Sequence, residues 1–138
     1  KYHPSGALGS KLKTVGDLML TKNMIPFVSE NLDMDEALRI ITKKKLGTLI
    51  VRNNKGITTG IVTDGTIRRA SQNNNNLKKL IVKSIMTKKP INVDKEMLAE
   101  KALSIMIYKK ITCLCVNNNK NKTIGILHIH NILDAKIQ

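Results

Sequence analysis

Aromatic rings are almost missing from this chain: there is no tryptophan, and Tyr2, Phe27 and Tyr108 are the only aromatics in 138 residues. Proteins that grip single-stranded nucleic acid stack bases on such rings, so that class of partner has no platform. Acidic residues are also few, 10 Asp and Glu against 24 Lys and Arg, for a net charge of +14. Such an excess points to anionic partners: phosphorylated metabolites, nucleic acid or lipid headgroups. The lysines, however, are scattered over both halves as Lys43 to Lys45, Lys78 and Lys79, Lys88 and Lys89, and Lys109 and Lys110. That is the distribution of a solvated surface, and with the many Asn and Ile residues it resembles the coding bias of an AT-rich genome. No apolar run nears the roughly 20 residues of a bilayer-spanning helix. Residues 1–10 hold no apolar stretch of a secretion signal. These absences predict a cytoplasmic protein with neither nucleic acid nor membrane as partner. The first residue is Lys1, so the chain is expected to be a piece of something longer.

Cysteine is scarce as well, with Cys113 and Cys115 the only two. Two residues apart in a strand, they point to the same side, and a disulfide between them would be strained. They are expected to be reduced thiols in the core.

What the chain does contain is an internal repeat. Displaced by 65 residues, positions 28–70 fall on 93–135 without a gap, and 16 of the 43 pairs are identical. Ala37 and Leu38 meet Ala102 and Leu103; Leu49 and Val51 meet Leu114 and Val116; Gly60 and Ile61 meet Gly125 and Ile126. Upstream, Leu18-Met19 matches Ile85-Met86 with a two-residue slip. A tandem duplication follows, with residues 1–13 as a leading segment, units at 14–71 and 81–138, and a polar linker over 72–80.

Each unit reads alike. A short helical turn ends in Met (Gly16 to Met19; Lys83 to Met86), followed by a short strand (Ile25 to Val28; Ile91 to Val93). An amphipathic helix comes next, with Met34, Ala37, Leu38 and Ile41, or Ala99, Ala102, Leu103 and Met106, at i, i+3, i+4, i+7. Asp33 and Glu36 have the spacing of a capping box. Strands over 48–52 and 58–63, then 113–117 and 124–128, are separated in the first unit by the turn-forming run Asn-Asn-Lys-Gly. A final helix covers 65–71 or 129–137. The predicted fold is α/β (α+β): β-α-β-β-α twice, two units packed with pseudo-twofold symmetry, with ligand clefts where strand ends and final helices meet. Ala37, Ile41, Ala102 and Met106 are expected to stay exposed as a dimer-forming face.

The run Gly60-Ile61-Val62-Thr63-Asp64-Gly65-Thr66-Ile67-Arg68-Arg69 resembles the Gly-h-x-Thr-x-x-Asp signature of the cystathionine β-synthase (CBS) domain, and two in tandem resemble a Bateman module. His3-Pro4-Ser5-Gly6-Ala7-Leu8-Gly9 is similar to the stretch joining a sugar isomerase (SIS) domain to a CBS pair in D-arabinose-5-phosphate isomerases, with Ser5 in place of a glycine. That resemblance implies a regulatory, ligand-binding module of an enzyme that interconverts D-ribulose 5-phosphate and D-arabinose 5-phosphate for Kdo and lipopolysaccharide synthesis. It also implies that residues 1–13 are a remnant of the SIS domain and that the fragment alone is non-catalytic. His3 matches a parent active-site histidine, but without the SIS domain no sugar pocket is expected around it.

In the family the signature Thr bonds the ligand's sugar or phosphate and the Asp accepts two ribose hydroxyls. This chain keeps Thr63 but has Thr66 in the Asp position; the second unit has His128 and Asn131 in the two places. The ribose clamp is therefore absent from both units. Thr63, Thr66, Arg68 and Arg69, with His128, His130 and Asn131, form the candidate ligand-binding set. Arginine suits phosphate and carboxylate in bidentate geometry, and the helix starting near Gly65 adds free N–H groups. No cofactor is expected; the regulatory ligand is a small anionic metabolite, a sugar nucleotide such as CMP-Kdo rather than an adenine nucleotide. Cys113, Cys115, His128 and His130 have zinc-binding chemistry, but their spacing matches no zinc motif and no metal is expected. The alternatives are a purely structural oligomerisation module, or a nucleic-acid-binding basic domain.

Overall fold

The short apolar strands form two small sheets, and the apolar stripe of a helix packs on each. The computed structural model describes residues 12–137; His3 and the residues around it lie outside them. The elements in order are α1 (Val15–Leu18), β1 (Phe27–Ser29), α2 (Met34–Lys44), β2 (Thr48–Arg52), β3 (Thr58–Thr63), α3 (Asp64–Asn73), α4 (Val82–Ile85), β4 (Thr87–Lys88), β5 (Asn92–Val93), α5 (Ala99–Lys109), β6 (Cys113–Asn117), β7 (Thr123–His128) and α6 (Ile129–Ile137). Short 3₁₀ turns occupy Lys22–Met24 and Leu77–Lys79. The β-α-β-β-α order occurs twice, as expected. The leading strands sit one or two residues later than the sequence pattern placed them, and α3 is longer at both ends.

The register proves the repeat residue by residue. Val28 pairs in parallel with Val51, which pairs antiparallel with Gly60. Val93, Val116 and Gly125 stand in the same relation. Both hairpins shift register at the same place, after Val51 and after Val116. Their turns are alike: Asn53 Oδ1 accepts from the N–H groups of Lys55 and Ile57, and Asn118 Oδ1 from those of Lys120 and Lys122.

The compact units do not follow the repeat boundaries. One comprises the described residues up to Met24 together with those from Ile91 onward; the other is Ile25–Pro90. Each holds the leading segment of the other repeat. Val15 N–H donates to Met97 O and Ala99 N–H to Lys13 O, both at 2.8 Å. In the other unit Val82 N–H donates to Leu32 O and Met34 N–H to Leu80 O, also at 2.8 Å. Leu20 exchanges backbone bonds with Ile126 on β7, and β4 pairs with Gly60 and Ile61 on β3.

The core of the Ile25–Pro90 unit joins Met34, Ala37 and Ile41 of α2 to Leu49, Val51 and Val62 of the sheet and to Val82 of α4. The other core joins Ala99, Ala102 and Met106 of α5 to Leu114, Val116 and Leu127 and to Val15 of α1. The expected exposed face is thereby corrected: Ala37, Ile41, Ala102 and Met106 are all buried. They are the apolar stripe of helices whose only apolar stripe must cover their own sheet. The exposed large apolar residues of α5 are instead Ile107, 64% exposed, and Tyr108, 82% exposed.

Helix ends differ between the repeats. Asp33 Oδ1 caps α2 by accepting from Glu36 N–H at 2.8 Å. The Glu36 carboxylate turns to Arg39 at 3.0 Å, so the predicted box is half made. The equivalent cap of α5 is Leu98, which offers no side-chain bond.

Candidate functional site

Thr63 ends β3 in extended backbone and starts α3, whose first N–H groups have no intrahelical acceptor. Its hydroxyl accepts from Thr66 N–H at 3.1 Å, and Thr66 Oγ1 accepts from Thr63 N–H at 3.1 Å. The residue standing where the family has its carboxylate thus completes a capping box. Thr66 is buried, and its hydroxyl lies 3.0 Å from Thr63 Oγ1 and 3.2 Å from Thr87 Oγ1 on β4. Asp64 turns away: its N–H donates to Gly47 O, and a Cβ at Gly47 would lie 3.1 Å from Asp64 Oδ2.

Arg68 and Arg69 fold back over the first turn of α3. A Cβ added at Gly65 would sit 3.2 Å from Arg69 Nη1 and 3.8 Å from Arg68 Nη2. Among the described residues the ion pairs join Arg39 and Lys78 to acidic side chains, and neither Arg68 nor Arg69 takes part. Two guanidinium groups therefore stand near the positive end of a helix, which the macrodipole disfavours, with Asp64 of the first turn outside ion-pair distance of either. Beside them runs a groove of about 360 Å³, lined by Thr66, Arg69 and Ala70, by Asn73 and Asn74, and by Ser84, Ile85 and Thr87. Sequence reasoning missed Asn73, Asn74, Ser84 and Thr87. The signal for Thr87 was Met86 ahead of it, repeat partner of Met19, but which strand that segment would join was not written in the repeat.

The second signature is built differently. Asn131 Oδ1 accepts from His128 N–H at 2.8 Å, and His128 Nδ1 accepts from His130 N–H at 3.1 Å. The two imidazole rings stack, with centroids 5.0 Å apart at 16°. So His128, His130 and Asn131 come together as the cap of α6, as Thr63 and Thr66 do for α3. Cys113 stands opposite His128 across the ladder. Cys113 is half-buried; Cys115 is buried, and burial, with a lesser contribution from Cys113, pushes its thiol up to about 12. Among the described residues no three metal-ligating side chains cluster.

Burial first, and the charge of His130 second, hold His128 below its ordinary 6.5. A group that binds its proton less readily when folded adds stability that is full above the unfolded pKa and is lost as pH falls from there through the lower folded pKa. Protonation also makes Nδ1 a donor facing His130 N–H. The melting temperature is expected to drop as pH goes from about 7.5 to about 5, and H128T, which restores the Thr63-type cap, should flatten that slope. Calorimetric scans of both proteins check it; parallel slopes contradict it.

The sequence pattern of the CBS domain matches residues 15–73 and again 82–137. An uncharacterized protein of Rickettsia prowazekii is 37% identical over 136 residues, which are 99% of this chain and 42% of that protein. Arabinose 5-phosphate isomerase KdsD of Escherichia coli K12 is 35% identical over 136 residues, 98% of this chain and 41% of the enzyme. Among solved structures, Arabidopsis thaliana CBSX2 in complex with AMP matches with a TM-score of 0.80 at 26% identity, covering 91% of this chain and 97% of that one. The chain spans about two fifths of the length of the curated relatives it matches.

Proposed function

Because this chain belongs to the CBS domain family and carries the domain twice, we propose that it is the regulatory module of a D-arabinose-5-phosphate isomerase and binds a small anionic metabolite of that enzyme's pathway. The isomerase origin is supported by the similarity to KdsD, which runs through nearly the whole chain. The cytoplasm as its compartment is supported by Cys115, a thiol buried in strand β6. The observation that carries the ligand reading is the pair of unpaired guanidinium groups folded over the start of α3.

A sugar nucleotide or sugar acid, such as CMP-Kdo, fits better than AMP. At the two positions where the family has its carboxylates, Thr66 and Asn131 are engaged in capping their own helices. Neither can accept two ribose hydroxyls as a carboxylate does. Arg68 and Arg69, both exposed, can reach such an anion with charge-assisted, bidentate hydrogen bonds. In calorimetric titration CMP-Kdo should bind more tightly than AMP, and R68A/R69A should weaken it at least tenfold. Tighter AMP binding, or an unchanged double variant, rejects the ligand assignment. The purified chain should not isomerise ribulose 5-phosphate; measurable turnover rejects its reading as a non-catalytic module.

A second reading, self-association as the role itself, is favoured by the exposure of Ile107 and Tyr108 on α5. Light scattering at high protein concentration decides it: a dimer supports it and a monomer removes it.

A further inference from the structure

The stretch 77–89 sets the Ile25–Pro90 unit apart. It carries Lys78, Lys79, Lys83, Lys88 and Lys89 and no acidic residue. Its repeat partner, 67 residues upstream, has Leu12 for Lys79, Gly16 for Lys83, Thr21 for Lys88 and Asp17 for Ser84. The later copy thus has three more cations and one acid fewer, and a coding bias common to both copies does not account for a difference between them. All five lysines are exposed. Among the described residues only Lys78 of the five has an ion-pair partner, Asp35 at 3.8 Å. Lys83 N–H donates to Glu30 O at 2.9 Å, but the Glu30 carboxylate makes no ion pair.

These cations flank the edge of a sheet. The strand order is β1-β2-β3-β4, so among the described residues β4 has β3 on one side and no strand on the other. Both of its residues are exposed. Successive residues of an antiparallel strand turn their N–H and C=O groups to opposite sides, so one of Thr87 and Lys88 presents both groups to the free side. Lys88 faces Gly60 across the ladder, where no side chain meets it. Lys83 lies in α4, the helical turn that runs into β4.

We propose that the free edge of β4 takes up an extended acidic segment of a partner protein as a fifth strand, with its carboxylates held by Lys83, Lys88 and Lys89. Strand addition draws its affinity from backbone bonds and its specificity from side chains. A strand alternates its side chains, so acids at every second position all fall on one side. A second copy of the same edge is excluded, because lysine would stand opposite lysine. A lipid surface needs buried apolar area, and the only large apolar side chain exposed in this stretch is Ile81, at 36%. Nucleic acid has no peptide groups to extend a ladder, and the stretch offers no aromatic ring for stacking.

The test uses the whole chain, ¹⁵N-labelled, and the capped hexapeptide Ac-Glu-Thr-Glu-Thr-Glu-Thr-NH₂ at low ionic strength, where charge pairing is least screened. The amides of Thr87, Lys88 and Lys89 should move, and some should exchange more slowly with solvent, the mark of a new ladder rather than of charge alone. Proline in place of each peptide threonine removes every second N–H; it should abolish the slowing and weaken binding at least tenfold. K83E/K88E should weaken the parent peptide at least tenfold with the melting temperature unchanged, and the milder K83Q/K88Q should weaken it in the same direction. K101E/K120E makes the same change of net charge at exposed lysines of the other unit and should bind like the parent. The proposal is overturned if the proline peptide or hexathymidylate binds as tightly, if K83E/K88E and K83Q/K88Q bind like the parent, or if K101E/K120E loses as much as K83E/K88E. Silent β4 amides overturn it too, and leave the lysines as guards against edge-to-edge pairing.

Discussion

Leu49→Ala and Leu114→Ala are each expected to remove about 2–5 kcal/mol of stability, the range for deleting most of a core leucine where the neighbours cannot collapse onto the gap. The two are repeat partners, wholly buried in separate clusters: Leu49 among Ala37, Ile41 and Val62, Leu114 among Ala102, Met106 and Leu127. Such a loss is a large share of the 5–15 kcal/mol typical of a domain. Urea denaturation measures it as a lower midpoint with an unchanged slope. A loss under about 1 kcal/mol at either site would mean that this core relaxes around the void.

The second large effect concerns glycines that the leading segments press against. A Cβ at Gly60 would stand 2.8 Å from Thr87 O and 2.9 Å from Met86 Cγ. A Cβ at Gly125 would stand 2.9 Å from Met19 Cγ and 3.1 Å from Leu20 O. A methionine end can swing aside, but a carbonyl oxygen in a ladder moves only with its strand. Gly60→Ala should therefore cost about 1–3 kcal/mol, the overpacking range, and more than Gly125→Ala, whose backbone neighbour is farther away. Because β4 carries Thr87, Gly60→Ala should also quicken hydrogen exchange at Ile61 and Lys88, which face β4 and β3. Equal stability of parent and Gly60→Ala would show that β4 is free to shift.

These partners mark where the sequence stops being informative. The duplication was legible because 16 identities lie on one displacement, and that displacement carries the strand pairing of one unit onto the other. Val28, Val51 and Gly60 are matched by Val93, Val116 and Gly125 for that reason. Tandem copies cannot say which copy of a segment joins which core. Val15 and Val82, or Met19 and Met86, are nearly interchangeable in chemistry, so the exchange of leading segments left no mark in composition or spacing. The site was half legible for a similar reason. Thr63, Thr66, Arg68 and Arg69 are neighbours along one helix, and periodicity places them. Ser84 and Thr87 reach the groove only because α4 and β4 fold back onto that unit. The burial of Ala37 and Met106 was misjudged because a helix with one apolar stripe looks the same whether that stripe meets its own sheet or a partner.

The exchange also sets an order in time. The Ile25–Pro90 unit is one continuous stretch of chain, so all of its parts have been synthesised once β4 leaves the ribosome. The other unit is interrupted, and its leading segment makes strand-like contacts from Thr14 to Leu98 and from Leu20 to Ile126, 84 and 106 residues apart. Closing so long a loop has an entropic cost that grows as the logarithm of its length, and contacts this distant slow folding. Residues 13–20 emerge before the Ile25–Pro90 unit and complete their contacts after it, since Leu20 must wait for β7. The segment that opens the first repeat thus becomes the final piece of the second, and its docking is the step that closes that unit.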